Sequence, residues 1–150
     1  MINRSDYLDA VIEIKFGDIT WVSSPTLSTS DNSGLAPGTL LEDAVVITAS
    51  NPMGERLTGV VNKSANKRLE AVLTDVGYST LPCLGRDKPG LHFEESFWAP
   101  FSSQVELQEL IDLSQMFNQD AIFIYSDSHR ILHENMNGSR TLQQVFWTTV

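Results

Sequence analysis

The chain has 150 residues, a formal net charge of −9 and a sequence pI of about 4.6. This length suits one compact domain, residues 1–150, and the acidic balance disfavours nonspecific nucleic-acid binding because like charges repel. No apolar run reaches the ~20 residues that cross a membrane, and the first residues lack a signal-peptide pattern. The single Cys83 provides neither an internal disulfide nor a zinc site. These features predict a cytoplasmic protein without membrane contact.

The N-terminal part of the chain combines a predicted hairpin with a long polar segment. Residues 11–22 alternate apolar and polar side chains on either side of the turn signal Gly17-Asp18, which predicts two strands. Residues 23–40 are rich in Ser, Thr, Gly and Pro, a composition typical of a mobile loop or flap.

A buried strand and an amphipathic helix follow. Residues 43–49, DAVVITA, form a continuous apolar run that is typical of a central strand covered on both faces. In the helix, apolar residues recur at spacings of three and four, and Gly77 is a natural stop. This buried stripe consists of Val61, Ala65, Leu69, Val72 and Val76.

The next segments predict a strand pair and a second helix. STLPCLGR and LHFEESFWA, residues 79–86 and 91–99, have strand patterns and are joined by the turn sequence DKPG. A second amphipathic helix from about Ser103 to Phe117 carries a stripe of Val105, Leu110, Leu113 and Phe117.

The last segments predict a further strand pair and one element that is either a helix or a strand. Residues 120–125, DAIFIY, form another buried strand, and residues 131–134 can pair back on it as a hairpin. Residues 140–150 fit either a short helix or an edge strand. Because strands and helices alternate in the middle of the chain, the predicted fold class is α/β (or α+β). We expect a single domain with a mixed β-sheet and two main amphipathic helices.

The first candidate site lies at Ser50-Asn51-Pro52, directly after the predicted central strand. In open α/β sheets, ligands bind beyond the carboxyl ends of the strands. Pro52 is expected to push Asn51 into an extended conformation, from which its side chain meets a ligand or caps the turn. The alternative is an Asx turn that ends the strand and has no further role.

Two amides on the following helix extend this candidate site. Asn62 and Asn66 are four residues apart, so they share one face of the helix near its N-terminus. Each amide both donates and accepts hydrogen bonds. They either contact a ligand or fasten the Ser-rich loop to the core.

The strand LHFEESFW carries the residues that suit proton transfer. Strand alternation puts His92, Glu94 and Ser96 on one face, and Phe93 and Phe97 on the other. If the Phe side packs into the core, the polar face is the outer surface. A carboxylate near an imidazole can support acid–base chemistry, with Glu94 as acid or base and His92 assisting. The alternative is an exposed polar strand face.

Gln119 precedes the buried strand 120–125 and can reach into the same pocket or satisfy a loop. No third metal-ligating residue lies at a spacing typical of metal sites from His92 and Glu94, so no metal site is predicted.

The order of these features resembles a bacterial and phage protein family, the one numbered thirty-two ninety-three among the domains of unknown function. The resemblance covers about residues 44–125. The usual motifs of that family are Thr-Ala-x-Asn-Pro, a pair of helix Asn, a Glu-x-Ser-Phe strand and a Gln before the next strand. This chain has Thr48 to Pro52, Asn62 with Asn66, Glu94 to Phe97, and Gln119 with Ala121. Ser50 fills the place where the family commonly has Trp. The resemblance implies that the amides, Glu94 and Gln119 form one site, and it implies no reaction.

A second likeness concerns the macrodomain, which binds ADP-ribose. FGDITWV, residues 16–22, and DAVVITASNP, residues 43–52, are similar to two of its segments. The chain departs from that pattern because Ile47 stands where the macrodomain carries Asn, and because MGERLTG replaces its Gly-rich diphosphate loop. The likeness adds nucleotides to the ligand classes to consider.

Two functions from different classes follow. In the first, a small-molecule or nucleotide-type ligand binds at the strand–helix junction, and the cofactor is unknown. Glu94 and His92 are then the catalytic candidates, and the ligand-binding candidates are Asn51, Asn62, Asn66, Ser96 and Gln119. In the second, the chain is an acidic protein-interaction module without catalysis, such as a phage- or bacterium-encoded inhibitor or regulator, and the same residues are structural.

Overall fold

The computed structural model describes residues 4–26, 42–51 and 56–150. The helices of this part are α1 (Arg4–Leu8), α2 (Gly59–Val76) and α3 (Gln104–Met116). The strands are β1 (Val11–Phe16), β2 (Ile19–Ser24), β3 (Ala44–Ile47), β4 (Leu81–Arg86), β5 (Phe93–Pro100), β6 (Ala121–Ser126), β7 (His129–Glu134), β8 (Arg140–Gln144) and β9 (Phe146–Thr149).

These strands form one antiparallel sheet that is nearly closed into a barrel. The strand order is β8-β7-β6-β3-β5-β4-β1-β2-β9, and every neighbouring pair is antiparallel. β8 and β9 lie at opposite ends of this order, yet only Val145 separates them in the chain. The sheet must therefore curl until its two ends approach each other. The backbone N–H of Val145 donates to the carbonyl oxygen of Ser128 at 2.9 Å and holds this link in place.

The predicted fold class, an α/β or α+β domain with a mixed sheet and two main helices, was wrong. Strands dominate the architecture, and no strand pair of the described residues is parallel. The apolar run of β3 misled the prediction. β3 is buried on both faces because the barrel interior covers one and the helices α2 and α3 cover the other. The same continuous apolar run is typical of a strand in an α/β sheet.

Two apolar clusters lie on the two sides of the sheet. The interior cluster is rich in aromatic residues, among them Trp98 and Tyr125, whose ring centroids are 4.9 Å apart. The outer cluster packs α2 and α3 against β3, β5 and β6 through fully buried side chains such as Leu69, Leu73 and Leu110. Each such leucine contributes about 1.5–3 kcal/mol through burial. The outer cluster fixes the position of α2 and hence of its Asn residues.

Both predicted helices are present, and their ends have clear local causes. The hydroxyl of Thr58 accepts a hydrogen bond from the N–H of Val61 at 3.3 Å and caps α2. Gly77 ends α2 with a φ of 107°, a left-handed conformation that glycine adopts at no steric cost. Ser103 caps α3 in the same way as Thr58 caps α2, accepting from Glu106 N–H at 3.2 Å.

The predicted hairpins are also confirmed. β1 pairs with β2 around Gly17, β4 pairs with β5, and β6 pairs with β7. Residues 140–150, for which the sequence allowed a short helix or an edge strand, form the strands β8 and β9. In the predicted loop 23–40, Ser23 and Ser24 belong to β2, and residues 27–40 lie outside the part that the structure describes. No helix in the described ranges is both long and apolar enough to span a bilayer.

A buried arginine occupies the barrel interior. Arg130 is 0% exposed, and its guanidinium carbon lies 4.2 Å from the ring centroid of Phe123. Its Nε donates to Gln143 Oε1 at 2.8 Å, and its Nη1 donates to Tyr125 Oη at 3.1 Å. Tyr125 Oη is in turn 2.9 Å from the hydroxyl of Ser23.

The same guanidinium holds the N-terminal turn in the barrel. Arg130 Nη2 donates to the carbonyl oxygens of Ala10, at 2.7 Å, and Leu8, at 3.3 Å. Among the residues that the structure describes, no carboxylate pairs with Arg130. Its charge is therefore surrounded by neutral oxygen atoms and an aromatic ring.

Candidate functional site

The predicted site lies where β3 ends, beside the first turns of α2 and the start of β5. After Ile47 the chain leaves the sheet, and Thr48 remains attached to β5 because its hydroxyl donates to the carbonyl oxygen of Glu95 at 2.7 Å. The N–H of Ser50 then donates to the Thr48 hydroxyl at 3.0 Å. We call the surroundings of Thr48–Asn51, Asn62, Asn66 and Glu94 the junction.

Asn66 is the centre of the junction and is 4% exposed. Its Oδ1 accepts from the backbone N–H of Ala49 at 2.7 Å and from the Thr48 hydroxyl at 3.4 Å. Its Nδ2 donates to Ser50 Oγ at 2.8 Å and to the Glu95 carbonyl oxygen at 3.0 Å. Both amide hydrogens are thus used inside the protein, and this one side chain ties α2 to the ends of β3 and β5.

Asn51 and Asn62 form a reciprocal pair. The backbone N–H of Asn51 donates to Asn62 Oδ1 at 2.9 Å, and Asn62 Nδ2 donates back to Asn51 Oδ1 at 2.9 Å. Asn51 Oδ1 also accepts from the N–H of Leu57 at 2.9 Å. These bonds fasten residue 51 to the segment that leads into α2.

The backbone of Asn51 differs from the prediction. We expected an extended conformation because a proline follows, but Asn51 has a φ of 48°, in the left-handed region. Asparagine adopts this region more readily than other residues with a β-carbon. The hydrogen bonds of its N–H and Oδ1 to Asn62 and Leu57 stabilise the less populated conformation.

Glu94 is the carboxylate that meets these amides. Asn51 Nδ2 donates to Glu94 Oε1 at 2.9 Å. Burial raises the pKa of Glu94, and the hydrogen bond from Asn51 and the positive charge of Arg56 offset part of this rise. The net direction is upward, which is the direction that suits a carboxyl group for proton transfer near neutral pH.

The alternation along β5 was predicted correctly, but the polar face was expected on the outer surface. Trp98 belongs to the interior cluster, so Ser96 and Glu94 face the barrel interior with it. Phe97 packs in the outer cluster under the helices, and Phe93 is 55% exposed. Both faces of β5 are buried over residues 96–99, where the strand lies between the two clusters.

His92 lies on the exposed rim of the junction. Its Nδ1 is in hydrogen-bond contact with Arg56 Nη1, and its backbone N–H donates to Asp87 Oδ1 at 3.2 Å. In the described part of the chain, no hydrogen bond joins His92 to Glu94. Arg56 connects them, since it touches His92 and acts on Glu94 through its charge. The assisting role of His92 stays a prediction.

Gln119 joins the junction from the side of β6, and Ser96 does not join the amides. Gln119 Nε2 donates to the Ser50 carbonyl oxygen at 3.0 Å and to that of Phe117 at 3.3 Å. The hydroxyl of Ser96 donates to the backbone oxygen of Glu94 at 3.3 Å. Gln119 therefore supports the end of β3, whereas Ser96 belongs to the barrel interior.

Sequence reasoning missed two side chains near this site, Arg56 and Tyr7. Arg56 stands in the segment MGERLTG between two predicted elements, where a positive charge in an acidic chain was the available signal. Tyr7 comes from α1, and burial raises its pKa to about 12, with further contributions from the negative charges of Glu94 and Asp120. No local signal connects Tyr7 to residues so distant in the chain. Its phenol stays protonated and can donate a hydrogen bond.

The described residues form no cluster of metal ligands: in these ranges no group of three or more His, Cys, Asp and Glu side chains could hold a metal ion. Cys83 is buried in the interior cluster, and burial raises the pKa of its thiol.

Comparison with known proteins gives one finding. A family model described as Protein of unknown function (DUF3293) matches residues 47–122, a range that includes the junction from the end of β3 to Gln119. Neither the curated proteins nor the solved structures gave a match. The family is the one indicated by the order of the sequence motifs, so that prediction is confirmed. With half of its residues matched, the chain belongs to the DUF3293 family of proteins of unknown function.

Proposed function

We propose that the junction binds a small polar ligand of nucleotide type, with Glu94 and Arg56 making the principal contacts. The carboxylate of Glu94 accepts hydrogen bonds from an amino group of the base, as acidic side chains do when they contact base edges. The guanidinium of Arg56, with the imidazole of His92 beside it, binds the phosphate.

The observation that carries this proposal is an unneutralised pair of opposite charges. Glu94 is partly buried, and its hydrogen-bond partner is the neutral amide of Asn51. The hydrogen-bond partner of Arg56 is the ring of His92. Among the ion pairs of the described residues, none joins Glu94 to Arg56. Within the described ranges neither charge is thus neutralised by an ion pair, which supports a ligand that carries a donor at one end and an anion at the other.

The amides act in this proposal as positioning residues. Asn51 orients the carboxylate of Glu94, and Asn62 holds Asn51. Asn66 and Gln119 hold the backbone of residues 49–50. Their amide groups bond to protein atoms, so ligand contact falls to Glu94, Arg56 and His92.

A thermal-shift titration with AMP, GMP, CMP and UMP tests this function. We expect at least one nucleotide to give a saturable rise in Tm, since a ligand at 100 times its Kd adds about 2.7 kcal/mol to the free energy of unfolding. Glu94→Gln should abolish the rise because it removes the charge and turns one acceptor into a donor. Arg56→Ala should reduce nucleotide binding to the level of the corresponding nucleoside.

Glu95→Gln is the matched control. Glu95 is the next residue of β5, is exposed and faces the opposite side of the strand, so its substitution should leave the shift unchanged. The nucleotide proposal fails if the wild type shows no saturable shift, or if Glu95→Gln loses the shift as Glu94→Gln does.

The second candidate function is the acidic protein-interaction module. The inward hydrogen bonding of Asn62 and Asn66 favours it, because in this function these side chains only fasten the end of β3 to α2. Nucleotides then give no shift, and Glu94→Gln alters stability alone.

A further inference from the structure

An open apolar groove lies outside the barrel, between the C-terminal half of α2 and the length of α3. Its volume is about 540 Å³. Three of the apolar side chains that line it are strongly exposed: Val76 at 52%, Val105 at 79% and Met116 at 75%. Clustered apolar side chains in contact with water are typical of surfaces that bind a partner.

The groove exists because the apolar stripes of both helices extend beyond the sheet. The sequence predicted Val105 and Leu113 as one buried stripe, and the structure buries Leu113 to 7% exposure but leaves Val105 open. Val76, the last residue of α2, is left uncovered in the same way. Val76, Val105 and Met116 do not contribute to the outer cluster, so stability of the fold does not account for them.

The groove has an acidic wall. α3 carries Glu106, Glu109 and Asp112 and no Lys or Arg, and Glu109 and Asp112 line the groove. The phenol of Tyr78 donates to Glu109 Oε1 at 2.6 Å and fixes this carboxylate at the edge. Among the described residues that line the groove, none is basic.

A second depression continues this surface. It has a volume of about 390 Å³, shares Tyr78 with the groove, and is lined by Glu42 and Glu106. The two depressions therefore adjoin at Tyr78, and each has two carboxylates in its lining.

We propose that this groove binds an amphipathic segment of a partner protein, with apolar side chains on one face and Lys or Arg along its flanks. Apolar anchors in a helix-lined groove are a recurrent mode of peptide recognition. Charge complementarity selects the basic occupant. A second copy of this chain, with its net charge of −9, is disfavoured because it brings like charges against the acidic wall.

Fluorescence anisotropy with two synthetic helical peptides tests the proposal. One peptide carries Leu at i, i+3, i+4 and i+7 with Lys at its remaining positions, and its twin carries Glu in place of Lys. We expect saturable binding of the Lys peptide, weakened by added salt, and at least roughly tenfold weaker binding of the Glu peptide, about 1.4 kcal/mol.

Two pairs of variants locate the binding surface. Met116→Ser should weaken binding of the Lys peptide several-fold, whereas Met136→Ser, a change at a methionine that is 81% exposed and outside the groove, should not. Val105→Ser should likewise weaken binding, and Val60→Ser should not. Val60 is a close match because it is 82% exposed and, like Val105, is the second residue of its helix.

Three results would overturn the proposal. One is equal binding of the Lys and Glu peptides, and another is equal loss in the groove variants and their controls. The third is sedimentation showing a concentration-dependent dimer that Met116→Ser dissociates, because a second copy then covers the groove.

Discussion

The junction around Asn66 and the barrel interior around Arg130 are both buried and polar, but they are satisfied in different ways. At the junction, a neutral amide bonds to the backbone and hydroxyl groups of the adjoining segments. In the interior, a full positive charge is surrounded by neutral oxygen atoms and the ring of Phe123.

This difference shows what each cluster requires of the fold. A neutral amide loses less hydration free energy than a full charge when it leaves water, so a few good hydrogen bonds compensate for its burial. A buried charge loses far more, and it is tolerated only where donors and acceptors match closely on all sides. The interior should therefore be the less tolerant of the two regions.

The largest effect is expected from Arg130→Ala. The substitution leaves a cavity and removes the donors to Ala10 O and Gln143 Oε1, so we expect a loss of about 3–5 kcal/mol in the free energy of unfolding. Urea denaturation measures it. Arg140→Ala, at an exposed arginine of the neighbouring β8, should cost less than about 1 kcal/mol. An equally small cost for Arg130→Ala would mean that water replaces the guanidinium inside the barrel.

A smaller effect is expected from Asn66→Ala. It removes the hydrogen bonds of the Asn66 side chain and leaves the Ala49 N–H without its acceptor, at a cost of about 2–3 kcal/mol. Lys67→Ala, at an exposed residue one place along α2, should change stability by less than about 0.5 kcal/mol. If chemical denaturation gives the same value for both variants, the junction is not a centre of stability.

Tyr125→Phe tests the interior without making a cavity. The phenol is 1% exposed and contacts both Ser23 and Arg130, so its loss should cost about 1–2 kcal/mol. Tyr78→Phe also removes a phenolic hydroxyl, but one that bonds to an exposed glutamate. It should reduce the free energy of unfolding by less than Tyr125→Phe does. The expectation that the barrel interior is intolerant of substitution fails if Tyr78→Phe is the more destabilising change.

The smallest effect concerns pH. Because the folded pKa of Glu94 is raised above its ordinary value of 4.5, the folded protein holds this proton more tightly than the unfolded chain does. Its contribution to stability is fully present below pH 4.5 and is lost as pH rises through the raised pKa. Glu94→Gln should remove this part of the pH dependence in denaturation curves, and Glu95→Gln should retain it. Parallel profiles for the wild type and Glu94→Gln would contradict the assignment.

The junction could be predicted in part because its signals are local. The four-residue spacing of Asn62 and Asn66 places both on one helix face. Asn51 belongs to a sequence of typical turn residues, Ser-Asn-Pro, that follows a buried strand. The link to Glu94 came from the family resemblance, since spacing alone does not bring residues 51 and 94 together. Their contact is a hydrogen bond in the structure, and its role in ligand binding stays a prediction.

The barrel and its interior could not be predicted in the same way. The apolar run of β3 fits a parallel or an antiparallel neighbour equally well, because side-chain alternation does not encode strand direction. Arg130 comes directly before the predicted strand 131–134, where no local signal marks a buried charge, and its partner Ala10 is 120 residues away in the chain. Only the closed sheet brings these residues together.

The short link at Val145 also affects the tendency of the protein to self-associate through its sheet edges. Free margins of a β-sheet are templates on which further strands can assemble, and fibrils grow from them. Here the two margins meet at one linking residue, which holds β8 and β9 together at that end. We expect one extra residue at this point to shift the alternation of β9, so that Trp147 turns from the inside of the barrel towards water and the margins become open to strands of other copies.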